Sequence, residues 1–309
     1  MAHPETATTP RAALPVRILL GTGTAIAREW KRLRRDRLAP IGAVLLVIFV
    51  LLAVFGPALA PYDPRAIQVN EMGIAKRLHP PSFQHWLGTE ATGRDVFSQL
   101  LVGTQVAVLV GFVAALLVVV IGTVIGVVAG YFGGWIDAVL MRLTDAAFVL
   151  PTIPFVVIIA AVSRPSITSV VIAISLLFWR NSARVIRAQV MALRNRSFIK
   201  AARAAGTSDF KILIRHILPG VLPLATFYGA VGVEAAVSTE ASLAFLGFGD
   251  PTVVSWGRML QAAFDAGAAR TAWWWVVPPG LMITLLVWSV YLVRRGYEDL
   301  VNPRLRSRA

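Results

Sequence analysis

Six stretches free of Lys, Arg and Asp, most near the length a helix needs to cross a bilayer, constrain this chain more than any other feature. A hydrocarbon core about 30 Å thick takes roughly 20 helical residues to cross. Residues 41–60, 106–130, 146–162, 167–179, 221–248 and 273–293 are such stretches, and only the fifth carries acid, at Glu234 and Glu240. The composition agrees: 57% of the 309 residues are hydrophobic and 15% charged, whereas a soluble domain carries roughly a quarter charged residues. With a mean hydropathy of +0.69, the chain is read as an all-α membrane protein of about six transmembrane helices.

The fourth stretch, 13 residues ending before Arg180, is too short to settle by length. Charge parity decides it. With six crossings, 23 of the 30 Lys and Arg residues share the side of the two termini and 7 lie on the other. The positive-inside rule then makes both termini cytoplasmic. The net charge of +14 is explained by this asymmetry and by anionic lipid, so nucleic acid is not expected as a partner.

The first crossing follows the basic residues Arg28, Lys31, Arg32, Arg34, Arg35 and Arg37. That region, the apolar run and Ala58-Leu59-Ala60 imitate a secretory leader. The run exceeds a usual leader core, however, and Pro61 hinders cleavage, so an uncleaved span is expected. Residues 1–26 read as a mobile tail with a short interfacial helix near residues 14–20, and 27–60 as a basic anchor and first helix. Residues 61–104, rich in Pro and Gly, read as an extracytoplasmic loop. A core of five helices over 105–296 and a cytoplasmic tail over 297–309 complete the chain.

Within the core, Gly122, Gly126 and Gly130 share one helix face, where a neighbour can approach closely. Pro151 and Pro154 should bend or break the third crossing. Asp145 is expected to pair with Arg142 or start a helix. Glu234 and Glu240 lie about 120° apart around a helix axis, so they form no carboxylate dyad on one face. Glu234, with Ser238, is the candidate for lining a pathway, and Glu240 for bonding to a neighbouring helix.

Several chemistries are set aside. There is no cysteine, hence no disulfide or thiolate ligand. His3, His79, His85 and His216 show no metal-ligand spacing. Gly21-Thr22-Gly23-Thr24 lacks the Gly-Lys-Ser/Thr ending of a phosphate loop and reads as a turn. No catalytic residue, metal site or bound cofactor is expected in this chain.

Residues 197–219 stand out. Phe198, Ala201, Ala202 and Ala205 make one apolar face of a two-turn helix. Gly206 stops it. Thr207 or Ser208 caps a second helix, in which Phe210, Leu213, Ile214 and Ile217 repeat the spacing until Leu218-Pro219 ends it. Helices this short are marginal alone, so they dock either on the chain's own span ends or in a partner's groove.

Lys200-Ala201-Ala202, Gly206 and Leu218-Pro219 resemble the signature loop of bacterial ABC-importer permeases. The resemblance extends over Tyr62-Asp63-Pro64, His85-Trp86-Leu87-Gly88-Thr89, Gly93-Arg94-Asp95, Gly130-Tyr131-Phe132-Gly133-Gly134-Trp135, Glu240 to Gly247, Ser255-Trp256-Gly257 and Asn302-Pro303-Arg304. Together these are similar to the second, C-type permease of dipeptide, oligopeptide and nickel importers. Lys200 departs from the pattern, since the family loop usually has an acidic residue there, and Gly220 replaces a common asparagine.

The resemblance implies a type I importer permease fold in a bacterial inner membrane. It implies a second homologous permease, two ATP-binding subunits that carry ATP and Mg, and an extracytoplasmic solute-binding protein. It also makes 197–219 the coupling helix, with Lys200, Ala201, Ala202, Gly206, Asp209, Leu218 and Pro219 as its residues. Peptide import is the leading expectation. Nickel or another small solute, and an ion-driven secondary transporter, are the alternatives.

Overall fold

A computed structural model describes residues 38–163 and 165–301, with the side chains of 297–301 left aside. The expected N-terminal tail, its short helix, the basic anchor, the Gly21–Thr24 turn and the Asn302-Pro303-Arg304 motif lie outside these residues. We number the helices α1 (Ala39–Leu59), α2 (Val96–Phe132), α3 (Gly134–Val149), α4 (Thr152–Val162), α5 (Ile167–Arg194), α6 (Ser197–Ala204), α7 (Asp209–Ile212), α8 (Leu218–Phe245), α9 (Trp256–Asp265) and α10 (Trp273–Val301). A π-helical turn, Leu213–Ile217, joins α7 to α8.

Among the described residues, five helices are long and apolar enough to cross a membrane; the pair α3 and α4, bent by 88°, makes a sixth crossing when its arms are taken together. The break falls where the sequence predicts it. Leu150, held extended at ψ 122°, precedes Pro151, whose ring disfavours helix in the residue before it. Pro154 sits in the first turn of α4, where no intrahelical donor is needed.

Arg180 mends this break from α5. Its buried guanidinium donates to the Ala147 carbonyl at 2.7 Å and to Thr152 Oγ1 at 2.8 Å, joining the end of α3 to the start of α4. Phe148 lies 5.1 Å beneath it. Thr152→Val, nearly isosteric, leaves one charged donor unmet, so the thermal midpoint should fall in line with a loss of about 1.5–3 kcal/mol. An unchanged midpoint in detergent would remove Arg180 from this role.

Several boundaries differ from the sequence reading: α3 starts at Gly134 rather than near residue 146, so Arg142 is helical, and α10 runs to Val301 rather than 293. α2 begins at Val96 rather than near residue 106, because Asp95 caps it by accepting from the Ser98 N–H. Ser98, Gln99 and Thr104, which read as loop, are buried within the bundle. α5 runs to Arg194, so Arg184 and Arg187 belong to a helix; there they meet Asp145 at 2.8 Å and Asp137 at 2.5 Å. Asp145 therefore pairs with Arg184 rather than Arg142. Finally, Leu218-Pro219 ends nothing. Pro219 lies in the first turn of α8, and the wider π turn before it lets the chain remain helical from Asp209 to Phe245.

The glycine stripe on α2 packs as expected. A Cβ added at Gly126 would lie 2.7 Å from the Ala183 carbonyl oxygen, and one at Gly130 2.7 Å from that of Arg187. The backbones of α2 and α5 are in near contact.

At the end of the bundle opposite residues 197–217, the 60–95 loop is held by isolated bridges, including Ile67 with Arg94 and Thr89 with Asp95. The buried His85 ring places Nδ1 2.9 Å from Asp95 Oδ1, and Asp95 Oδ2 accepts from Ser98 Oγ at 2.7 Å. The His85 to Thr89 and Gly93 to Asp95 motifs thus build one cap over the start of α2. Gly88, at φ +62°, is required there, because a Cβ would meet the His79 carbonyl oxygen at 2.3 Å.

Candidate functional site

The 197–217 unit has two faces. Ile199, Ile212 and Ile217 are fully buried and pack with Val127, Ile186 and Val190 of the span ends. The other face is open, with Phe198 at 51%, Phe210 at 74% and Ile214 at 51% exposure. The unit docks on its own chain and still leaves large apolar side chains uncovered. Ile199, absent from the predicted apolar stripe, is its anchor, whereas Phe198 and Ala201 of that stripe face outward. Lys200, Ala205, Gly206 and Asp209 are exposed as well, while Ala202 is partly buried against the bundle.

The turn between the arms is set by Gly206. The Thr207 N–H donates to the Ala202 carbonyl at 3.1 Å and the Gly206 N–H to that of Arg203 at 3.0 Å. This pair of bonds is the Schellman arrangement, which needs a left-handed residue after the helix. Gly206 supplies it at φ +79°, with nothing within 4 Å of an added Cβ. Ser208, at the N-cap of α7, makes no side-chain cap bond.

A polar recess of about 430 Å³ adjoins this turn, lined in part by Tyr131, Arg194, Arg203, Gly206 and Asp209. The Tyr131 hydroxyl donates to Asp209 Oδ1 at 2.5 Å and accepts from Arg203 at 3.1 Å. Arg194 donates to the Tyr131 carbonyl at 2.8 Å. The sequence reading placed Asp209 in the coupling unit but assigned no role to Tyr131, Arg194 or Arg203. Its only signal was the glycine-flanked Gly130 to Trp135 motif, which places Tyr131 at the end of α2.

The candidate pathway residues occupy three different settings on α8. Glu234 pairs with Arg294 of α10 at 2.9 Å, and Arg294 also lies over the Phe227 and Tyr291 rings. Their neighbours Val233 and Val293 line an apolar cavity of about 380 Å³. Ser238 is exposed and donates back to the Glu234 carbonyl at 2.8 Å. Glu240 is buried and bonds to Ser255, the N-cap of α9. The structure brings no two of these three side chains together in one site.

A bundle with about six crossings, one of them broken, and an anchored helical unit showing an uncovered apolar face defines a multi-pass membrane protein. The chain belongs to the family of binding-protein-dependent transport system inner membrane components, whose family model matches residues 122–307. Residues 25–81 match the N-terminal transmembrane domain of oligopeptide transport permease C. The chain is 35% identical over 280 residues to the glutathione transport system permease protein GsiD of Escherichia coli O6:K15:H31 (strain 536 / UPEC), covering 90% of each. The proteins of that name from Shigella boydii serotype 4 and Shigella sonnei match to the same extent.

An inward-facing structure of the MetNI methionine ABC transporter shares the fold. It covers 66% of this chain and 94% of its own at 18% identity, with a TM-score of 0.50. The chain is thus the permease subunit of an ABC importer, a multi-pass protein of the bacterial inner membrane, and ATP hydrolysis in this family belongs to separate subunits.

Proposed function

We propose that this chain forms half of the translocation pore of an importer of small peptides, driven by ATPase subunits that grip the open face of the 197–217 unit. The observation that carries this reading is Phe210, 74% exposed on a unit whose opposite face is buried in the bundle. An aromatic side chain so presented matches the anchors of a helix laid into a partner's groove. Lys200, Ala201 and Gly206 share the exposed surface, so they meet the partner, while Ala202, Leu218 and Pro219 carry the unit into the bundle. Both termini then lie in the cytoplasm with this unit.

The peptide assignment rests on the relatives named for glutathione transport and on the match to an oligopeptide permease domain. The remaining partners are a second homologous permease and an extracytoplasmic solute-binding protein. Ser238, the exposed polar residue among the three, faces the pathway; Glu234 and Glu240 hold α8 to α10 and α9.

The chain contains no cysteine, so Ala205→Cys introduces a single reactive thiol beside the turn. In the transporter expressed with its ATPase subunits, a short reagent with one thiol-reactive end and one photoactivated end should link this position to an ATP-binding subunit. Absence of any cross-link to an ATP-binding subunit, with the complex intact, would overturn the assignment.

A further inference from the structure

One hydroxyl group meets both arms of the bent unit. Tyr131 donates to Asp209 on the arm after Gly206 and accepts from Arg203 on the arm before it. The Arg203 and Asp209 charges are 4.0 Å apart, and the Arg203 guanidinium carbon lies 5.5 Å from the Tyr131 ring centre. Bonds to ionised partners are stronger and shorter than neutral ones, so the arms are cross-linked through this hydroxyl rather than merely packed.

Tyr131 is itself immobilised. It is 3% exposed, packed in the same cluster as Ile199, Ile212 and Ile217, and tied through its carbonyl to Arg194 at the end of α5. It also stands at the last turn of α2, a helix of 37 residues, or about 55 Å at 1.5 Å per residue. The far end of that helix is bonded as firmly. Trp256, at the start of α9, donates from Nε1 to the Leu100 carbonyl at 3.0 Å and is 1% exposed. A Cβ added at Gly103 would lie 2.8 Å from its ring.

We propose that Tyr131 is a positioning residue that passes movement of the 197–217 unit to α2, and through α2 to α9 at the opposite end of the bundle. This rests on the reading that ATPase subunits grip the unit. Packing of Ile199, Ile212 and Ile217 holds the unit on the bundle; the hydroxyl adds a directional tie between its two arms and the end of α2. The phenol ring serves packing and the oxygen serves transmission, so removing the oxygen separates the two.

The experiment uses the assembled transporter with its ATPase subunits. Phe264→Cys, on α9 and 66% exposed, reports the far end through its rate of maleimide labelling before and after trapping with ATP and vanadate. Ala205→Cys, in a separate preparation, reports docking by cross-linking. Trapping should change the Phe264→Cys labelling rate by about fivefold or more, the usual scale of site-to-site coupling. Tyr131→Phe should reduce that change to less than about twofold, with ATP hydrolysis and cross-linking retained.

Asp209→Ala, read on the labelling ratio alone because Asp209 lies on the docking unit, should reduce it likewise, and the double variant should lose less than the sum of the two, as residues sharing a link are non-additive. A full labelling response in Tyr131→Phe, or additive losses in the double variant, would overturn the proposal. Absence of the cross-link in the Ala205→Cys chain with Tyr131 and Asp209 intact would instead overturn the docking reading, so the two failures are distinguishable. Should Tyr131→Phe assemble poorly, Asp209→Ala decides in a preparation whose Ala205→Cys cross-link is retained.

Discussion

Replacing Gly126 with leucine is expected to abolish recovery of folded protein, as read by size-exclusion chromatography and by loss of a thermal transition in detergent. A Cβ there would lie 2.7 Å from the Ala183 carbonyl oxygen and 2.9 Å from Ile186 Cβ. The first is backbone, so a side-chain rotation cannot relieve it. Within lipid no hydrophobic force holds two helices together, and close packing of small residues supplies much of their association. Gly126→Ala should cost about 1–3 kcal/mol, as overpacking does. Leucine adds three more carbons and forces α2 and α5 apart. Gly280→Ala is the control: nothing lies within 4 Å of its added Cβ, so its midpoint should not fall. If Gly126→Leu folds normally, the close approach of these helices is not what stabilises the bundle.

Gly122 differs from its companions in an instructive way. Its added Cβ would approach Ser182 Oγ most closely, but a hydroxyl can rotate aside. The Trp179 carbonyl oxygen at 2.8 Å cannot, so substitution at Gly122 should also be harmful, with the backbone contact setting the penalty.

The crossings were legible in the sequence because lipid imposes a one-dimensional signal, an apolar run of a given length. The glycine stripe and the break at Pro151 were legible for similar reasons, since spacing and ring chemistry act locally. Boundaries were less so. Ser98, Gln99 and Thr104 read as loop because their polarity is visible in sequence and their partners are not; Asp95 and the neighbouring helices bury them. Arg184 and Arg187 lie beyond the apolar run that ends at residue 179, and Asp145 and Asp137, 39 and 50 residues away, neutralise them only in three dimensions.

The site was legible in outline and mistaken in face. Period 3.6 counting grouped Phe198 with Ala202, yet the chain buries Ile199 instead. A two-turn helix gives too few residues to fix the orientation of its stripe, and the span ends it packs on settle the matter. The link through Tyr131 was invisible for a deeper reason: Tyr131 and Asp209 are 78 residues apart, and one motif lay in each segment without any sign that they meet. Glu234 is similar. Its charge inside an apolar run marks it as exceptional, but only the fold shows Arg294 opposite.

Gly206→Trp should leave the protein inserted and folded while reducing solute uptake about tenfold or more and abolishing its dependence on ATP hydrolysis. Two effects act at this position and can be separated. The left-handed conformation at φ +79° penalises any residue with a Cβ by about 1–2 kcal/mol, and this penalty is shared by Gly206→Ala. An added Cβ meets nothing within 4 Å, and a larger side chain leaving from it enters the open recess at the turn and whatever docks there. The alanine variant therefore measures strain in the turn, and the difference between tryptophan and alanine measures obstruction of a docked partner. Loss of one well-packed contact region of about 1.4 kcal/mol already corresponds to a tenfold change in occupancy. We expect alanine to lower the thermal midpoint slightly and retain most uptake, asparagine, which tolerates this conformation, to retain more, and tryptophan to match alanine in stability while losing uptake. Equal uptake in the alanine and tryptophan variants would mean that no partner covers this turn. With Phe210 beside it equally bare, the coupling role would then have to be sought elsewhere on the chain.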